Sequence, residues 1–112
     1  MRADLLKGHL DLLLLAILEQ GPLHGYAISD ELRQRSDGSF DLPEGTIYPA
    51  LHRLEAAGYL QSGWSSASGR RRREYELSGA GRAALAQRHQ EWRQFSGAID
   101  SVIRRTPWTN PA

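Results

Sequence analysis

The hydrophobic and polar positions along the chain predict a helical first half. Leucine or isoleucine fills most positions between residues 5 and 18, which predicts a first helix over residues 4–19 that ends at Gly21-Pro22. A helix that is apolar on nearly every side is usually buried on more than one side. Two explanations stay open: a partner chain covers one side, or the helix lies at the centre of its own domain.

A second, amphipathic helix is predicted over residues 24–35. Its core positions are Tyr26, Ile28 and Leu32. The serine, aspartate and glycine residues of positions 36–39 favour tight or left-handed backbone, so a turn is expected next. The predicted order at this point is therefore helix, short polar turn, helix.

A third helix is predicted over residues 42–57. Apolar residues spaced four and three apart mark its inward face, namely Ile47, Leu51 and Leu54. Pro49 lies inside this helix and removes one backbone hydrogen bond, so we expect a kink or a tightened first turn. Gly58 is expected to end the helix in the left-handed conformation.

The rest of the chain predicts a β-hairpin and one long helix. Residues 59–64 and 72–77 flank a polar stretch and have the pattern of two paired strands. Ser78 can cap a last helix, which Pro107 is expected to end, leaving a frayed tail. Its apolar residues have heptad spacing, which is typical of a helix that packs along another helix. These residues are Leu85, Trp92, Phe95, Ile99 and Val102.

The composition excludes several classes of protein. The chain has 112 residues, which allows one domain, and no cysteine, which excludes a disulfide-stapled scaffold and a zinc finger. No apolar tract is long enough to span a bilayer and no signal peptide is recognisable, so a cytoplasmic protein is expected. The four histidines lack metal-ligand spacing and no glycine-rich phosphate loop follows a strand. We therefore predict no metal, no cofactor, no membrane partner and no enzymatic activity.

The charge is distributed unevenly, although the formal net charge is only +1. Residues 1–56 have five basic and nine acidic side chains, and residues 57–112 have nine basic and four acidic side chains. Four consecutive arginines, Arg70 to Arg73, lie in the predicted hairpin. Arginine binds phosphate as a planar fork, so this hairpin is a candidate for contact with nucleic acid.

Helices two and three have the layout of a helix-turn-helix, in which the second helix lies in the major groove of DNA. The outward face of helix three offers Thr46, Tyr48, His52 and Arg53, and Gly45 exposes backbone N–H groups that suit a phosphate. The basic hairpin follows directly, where a wing would reach along the DNA backbone or into a minor groove.

Each of these features also has a purely structural interpretation. Tyr48 could cap the core, and Arg53 could pair with Glu55 or Glu44 on a solvated face. The arginine run could be a solvated charge run or could dock an acidic protein partner. A non-catalytic protein-interaction module is thus the alternative to a DNA-binding protein.

Four stretches of the chain resemble the PadR family of transcriptional regulators, in its short subgroup with one C-terminal helix. They read GPLHGY at residues 21–26, EGTIYPAL at 44–51, RLEAAGYL at 53–60 and GRRRREYELS at 69–78. The similarity extends from about residue 9 to residue 105. On the second strand the chain departs from the pattern of a basic residue and two aromatics, because it has Arg73, Glu74 and Tyr75. An acid beside the wing is expected to weaken or redirect its phosphate contacts.

The predicted elements have the order ααα-ββ-α, a mainly α-helical fold with a small β-hairpin, and the resemblance likewise implies a winged helix-turn-helix. It further implies a homodimeric repressor that binds a near-palindromic operator in double-stranded DNA, with Tyr48 clamping the DNA backbone. The expected domains are residues 1–77 for DNA binding, 78–106 for the dimerisation helix and 107–112 for a flexible tail. The expected DNA-binding residues are His24, Gly25, Tyr26, Gly45, Thr46, Tyr48, Pro49, His52, Arg53, Arg70, Arg71, Arg72 and Arg73.

The expected dimer interface is built from the last helix and from helix one of the partner. Its residues are Leu13, Leu14, Leu85, Trp92, Phe95, Ile99 and Val102. Some members of the family hold a flat apolar ligand between aromatic side chains at this interface, and Trp92 resembles such a platform. The expected effector is a planar aromatic small molecule that relieves repression; the alternative is that Trp92 is interface core.

Overall fold

A computed structural model of the chain describes residue 6, residues 8–67 and residues 69–104. Helix α1 (Leu10–Ile17) continues as a short 3-10 turn (Leu18–Gln20), and strand β1 (Leu23–His24) leads into α2 (Gly25–Arg35). Helix α3 (Glu44–Ala56), the strands β2 (Leu60–Ser65) and β3 (Arg72–Leu77), and the long helix α4 (Gly79–Ile103) follow. This order confirms the predicted fold class, with the addition of β1. The predicted helix stop at Pro107 and the predicted tail lie outside the described residues.

The first helix begins later than predicted. We expected it from residue 4, but α1 begins at Leu10. Gly8 precedes it with φ of +88°, a left-handed conformation that a continuing α-helix does not allow. Residues 1–5 and residue 7 are outside the described part, so the comparison rests on Gly8 onward.

The predicted end of the third helix is confirmed, while its start lies two residues later than predicted, at Glu44, because Pro43 has the extended backbone of an N-cap. Helix α3 runs through Pro49 without interruption, and its first turn is tightened by a bond from the Thr46 N–H to the Pro43 carbonyl at 2.9 Å. Gly58 ends it with φ of +85°, and the next N–H, that of Tyr59, donates to the Leu54 carbonyl at 3.0 Å.

The beginning of α4 is fastened to the end of α3. The Ser78 hydroxyl accepts from the Gly81 N–H at 3.0 Å, which confirms the predicted cap, and donates to the Gly58 carbonyl at 2.6 Å. The α-carbon of Gly81 packs so closely against the Tyr59 carbonyl that a β-carbon at position 81 would lie 2.0 Å from its oxygen. The hairpin that connects the two helices is therefore anchored at its base.

The three strands form one antiparallel sheet in the order β1-β3-β2. β3 pairs with β2 from Leu60 opposite Leu77 to Ser65 opposite Arg72. The two-residue strand β1 pairs with the other edge of β3, with Leu23 opposite Tyr75 and His24 opposite Glu74. This pairing places the start of α2 directly beside the hairpin.

The core lies between α1, α2, α3 and the inner face of the sheet. Its most deeply buried members are Leu14, Leu15, Leu18, Ile28, Ile47, Leu51, Leu54 and Tyr75. The inward positions predicted for α3 are thus confirmed, as are Ile28 and Leu32 of α2. One face of α1 is thus buried in the core of its own domain. The other face has Leu12, Leu13 and Ala16, which are only partly buried.

Three predicted positions need correction. Tyr26 was expected in the core but is 62% exposed, because it follows the first residue of α2 and lies against the His24 ring on the outer side. Leu14 was expected at the dimer interface, but none of its surface is exposed, because it fills the protomer's own core. Leu85 is likewise buried within its own chain and offers a partner very little surface.

Candidate nucleic-acid interface

The outward face of α3 is open to solvent over its whole length. Seven of its residues are exposed, and they include every position predicted there except Tyr48: Glu44, Gly45, Thr46, Pro49, His52, Arg53 and Ala56. Tyr48 is half-buried, and its ring lies 6.4 Å from that of His52. The helix therefore presents a continuous exposed surface with hydrogen-bonding side chains such as Thr46, His52 and Arg53, which can reach base edges in a major groove.

Tyr48 packs over the beginning of α2. A β-carbon at Gly25 would lie 2.5 Å from the Tyr48 phenol oxygen and 2.6 Å from two of its ring carbons. Only glycine at position 25 leaves room for this ring. The contact places the phenol oxygen at the junction of α2 and α3, where it can donate to a phosphate that approaches both helices.

His24 caps α2 and faces an arginine of the hairpin. Its Nδ1 lies 3.3 Å from the Ala27 N–H, and its Nε2 lies 2.7 Å from Nη1 of Arg72, which can only donate. A neutral ring has one acceptor nitrogen, so it accepts from one of these two donors, depending on its tautomer. The contact in either case brings the guanidinium of Arg72 to the N-terminus of α2, where backbone N–H groups and an arginine can both donate to a phosphate.

The arginine run is divided between two sides of β3, because successive residues of a strand point to opposite faces. Arg71 and Arg73 lie over the indole of Trp64, with guanidinium carbons 4.6 Å and 5.7 Å from the ring centroid. Trp64 is itself 58% exposed. Its ring therefore holds two guanidinium groups on one surface of the wing by cation–π contact.

Glu55 on α3 steadies the same part of the hairpin. Its Oε2 lies 3.6 Å from Nη2 of Arg73 and accepts from the Ser62 hydroxyl. Arg73 thus touches both the indole of the wing and a carboxylate of α3. The wing is in this way held against the helix that precedes it.

A cleft of about 670 Å³ separates the wing from the ends of α2 and α3. It brings together most of the residues predicted to bind DNA, together with Trp64, Tyr75 and one acid, Glu44. The predicted residues that line it are His24, Gly25, Tyr26, Tyr48, His52, Arg70, Arg71, Arg72 and Arg73. Gly45, Thr46, Pro49 and Arg53 lie outside this cleft on α3.

The departure from the family pattern on β3 places its acid outside the lining of this cleft. Glu74 does not line it and lies with Pro22 and Glu76 on another side of the sheet. Tyr75 is turned into the core, and burial raises the pKa of its phenol, so the ring stays neutral at physiological pH. The acid expected to disturb the wing thus lies on the opposite side of β3 from Arg73, although it shares its side of the strand with Arg72.

Arg53 has a different partner from those considered in the sequence. Neither Glu55 nor Glu44 pairs with it; instead its guanidinium donates to Asp11 of α1. Sequence spacing could not show this pair, because the two residues are 42 positions apart. Trp64 and Asp11 are the residues of this region that the sequence analysis missed, and an exposed tryptophan opposite an arginine on paired strands was the available signal for the first.

Trp92 lies at the edge of a second hollow, between α1 and α4. The hollow has a volume of about 490 Å³, and its lining includes His9, Leu12, Arg88 and Phe95. The His9 ring meets the indole edge-on at 5.2 Å, and Trp92 remains 41% exposed. One face of the tryptophan is thus supported by its own chain while part of it stays open.

The described part of the chain contains no cluster of three or more potential metal ligands. None of its helices is long and apolar enough to cross a bilayer. The open face of α3, the basic wing beside it and the capped start of α2 together define a winged helix-turn-helix protein that binds DNA.

The family model described as "Transcriptional regulator PadR-like family" matches residues 14–87, and the chain belongs to this family. A transcriptional regulator from Clostridium thermocellum is 29% identical, with a TM-score of 0.83 over 93% of this chain and 99% of that one. A PadR family transcription regulator from Clostridium difficile is 36% identical, with a TM-score of 0.78 over 86% and 99% of the two chains. A transcriptional regulator of Mycobacterium tuberculosis is 43% identical over 65 residues, 58% of each chain.

These similarities confirm the resemblance drawn from the four motifs. The family is one of transcriptional regulators, which confirms the prediction of a DNA-binding regulator without enzymatic activity.

Proposed function

We propose that the protein is a homodimeric repressor that binds a near-palindromic operator in double-stranded DNA. The single observation that carries the proposal is the convergence of the open face of α3, Tyr48 and the wing arginines on one side of the protomer. In the proposed complex α3 enters the major groove and the wing follows the phosphate backbone or a minor groove. Two protomers would read two half-sites about one helical turn apart.

The proposed domain boundary lies where the N-cap of α4 begins the last helix. Residues 1–77 would form the DNA-binding unit and residues 78–106 the dimerisation helix, with the boundary at the Ser78 cap of α4. The later part of α4 presents large apolar side chains that the described residues leave 41% to 74% exposed. They are Trp92, Phe95, Ile99, Val102 and Ile103. An apolar row at heptad spacing supports a second copy of the same helix as its partner.

A shift assay with the DNA upstream of the protein's own gene tests the operator proposal. We expect binding well above that to random DNA of equal length, and a loss of about tenfold for Tyr48→Ala and for Arg53→Ala, since each removes a charge-assisted contact to DNA. Arg35→Ala is the matched control, because Arg35 pairs with Glu31 on the same helix and is absent from the residues that line the cleft. Equal binding to random DNA, with both variants indistinguishable from the parent, would defeat the proposal.

We further propose that a planar aromatic molecule binds at Trp92 and relieves repression. The partly exposed indole and its aromatic neighbours support this ligand class, since flat rings stack on one another favourably. Repression would be relieved if the ligand favoured a dimer whose two recognition helices no longer match the half-sites.

Calorimetry with a panel of planar aromatics tests the ligand site. Trp92→Ala is expected to weaken binding of the best ligand by about tenfold, because stacking adds roughly 1 kcal/mol beyond the buried area. Trp64→Ala makes the same change in the wing, outside the hollow, and is expected to leave ligand affinity unchanged. Equal affinities for the parent and Trp92→Ala would show that Trp92 is interface core alone.

A further inference from the structure

Asp11 joins three helices through one carboxylate. It lies in the first turn of α1, and its Oδ1 accepts from Arg53 of α3 while its Oδ2 accepts from Arg88 of α4 at 3.3 Å. The Asp11 side chain is 23% exposed, against 59% for Arg53. A single, largely covered anion thus connects the open face of α3 with the long C-terminal helix.

This carboxylate and a DNA phosphate compete for the guanidinium of Arg53. Arg53 lies on the open face of α3 and donates through Nη2 to Asp11, which withholds that N–H from a phosphate and holds the guanidinium beside α1. Asp11 also adds a negative charge close to the approaching phosphate, and like charges repel. To the extent that a phosphate displaces Asp11 from Arg53, the free energy of the Asp11–Arg53 pair is therefore lost from DNA binding.

We propose that Asp11 restrains Arg53, lowering DNA affinity to a degree that Arg88 sets. The proposal rests on the proposed function, because it assigns Arg53 to the DNA contact. Arg88 neutralises part of the Asp11 charge and so weakens the hold of Asp11 on Arg53. Asp11 is in this sense a positioning residue, since it acts on DNA only through an arginine.

The surroundings of Arg88 connect this restraint with the long helix. Its guanidinium carbon lies 5.5 Å from the centre of the Tyr59 ring, and its side chain lines the hollow beside Trp92. If α4 moves, or if a molecule bound in the hollow draws Arg88 away, the ion pair between Asp11 and Arg88 is lost and Asp11 pairs with Arg53 only. Arg53 is then held more tightly and DNA affinity falls. The carboxylate thereby couples the α1–α4 hollow to the DNA-binding face through direct contacts.

Asp11→Asn measures the restraint. We expect its affinity to rise about threefold to fivefold on operator and random DNA alike, because partly exposed ion pairs contribute up to about 1 kcal/mol and phosphate contacts do not depend on sequence. The slope of log affinity against log salt should steepen by up to about 0.9, the value for one more phosphate contact. Glu19→Gln removes the same charge at the other end of the first helical segment and is the control for net charge.

Asp11→Asn in an Arg53→Gln background tests whether Asp11 affects DNA binding through Arg53. If Asp11 acts through Arg53, then Asp11→Asn has no effect on affinity or salt slope once Arg53 is gone. Arg88→Gln is expected to weaken DNA binding by a few-fold when Arg53 is present, and more than Arg93→Gln, which removes the same charge from the same helix. Thermal unfolding of every variant verifies that the fold is retained.

The outcomes separate this inference from the function on which it rests. An Asp11→Asn protein that binds DNA as weakly as Arg53→Gln would show that Asp11 presents Arg53 to the DNA, and would overturn the restraint. Unchanged affinity, or a gain that persists without Arg53, would overturn it as well. Absence of any preference for the operator would instead overturn the proposed function, and the comparison on random DNA would still decide the role of Asp11.

Discussion

Replacing Phe95 by aspartate is expected to convert the proposed dimer into a folded monomer that no longer binds its operator. Phe95 is one of the large apolar side chains that α4 leaves uncovered, and its ring lies 6.4 Å from that of Trp92. In a dimer through α4, the new carboxylate would be buried in an apolar interface without a partner, at a cost of several kcal/mol. The dimer dissociation constant should rise by more than about a hundredfold.

The measurement is the molar mass in solution over a range of protein concentrations, followed by a shift assay. Gln90→Asp introduces the same charge on the opposite side of α4, two residues before Trp92, and is expected to leave the molar mass unchanged. Circular dichroism should show the same helix content in both variants, because Phe95 is not part of the protomer's core. A Phe95→Asp protein with the dimer's mass at every concentration would place the interface elsewhere.

Replacing Gly81 by alanine is expected to lower the free energy of unfolding by about 2 to 3 kcal/mol. The added β-carbon would lie 2.0 Å from the carbonyl oxygen of Tyr59 and 3.0 Å from its carbon. These are backbone atoms, so no side chain can rotate away, and α4 must shift relative to the base of the hairpin. For a chain of this size the midpoint of thermal unfolding should fall by about 10 °C.

Gly79→Ala is the matched control for this prediction. Gly79 lies two residues earlier in the same helical turn, and a β-carbon there meets nothing within 4 Å. It is expected to leave stability unchanged or to raise it by up to about 1 kcal/mol, since alanine is the better helix former. Both variants are compared at one protein concentration, because the stability of a dimer depends on concentration. Equal stability of Gly81→Ala and the parent would show that the contact with Tyr59 is easily relieved.

The local elements could be predicted because their signals are local. Spacing along α3 marks Ile47, Leu51 and Leu54 as its inward side, and Gly58 and Ser78 stop and start helices through their own backbone and hydroxyl chemistry. The strand β1 could not be predicted in this way. Two residues have no periodicity, and their partner strand is about fifty positions away.

The candidate site was predictable in its residue types but less so in its contacts. In α1, leucine occupies four consecutive positions, 12–15, so the sequence offers no contrast that would assign Leu14 to the core and Leu13 to a more open side. Tyr26 has an apolar ring at a plausible core spacing, yet the end of the helix turns it outward. The Arg53 pair with Asp11 depends on how closely α1 and α3 approach, which no pattern within either helix records.

The pairing of Leu23 with Tyr75 also bears on how the molecule assembles. Closing a loop of about fifty residues costs entropy, and the cost is recovered only after the helices in between have collapsed onto one another. β3 can pair with β2 locally, but the edge that carries His24 forms only when the chain on both sides is already in place. A nascent chain that ends before residue 72 therefore lacks the strand against which α2 is anchored. The wing and the start of α2 acquire their mutual geometry in one late, cooperative event, so a partly folded protomer would not present half of the DNA-binding surface.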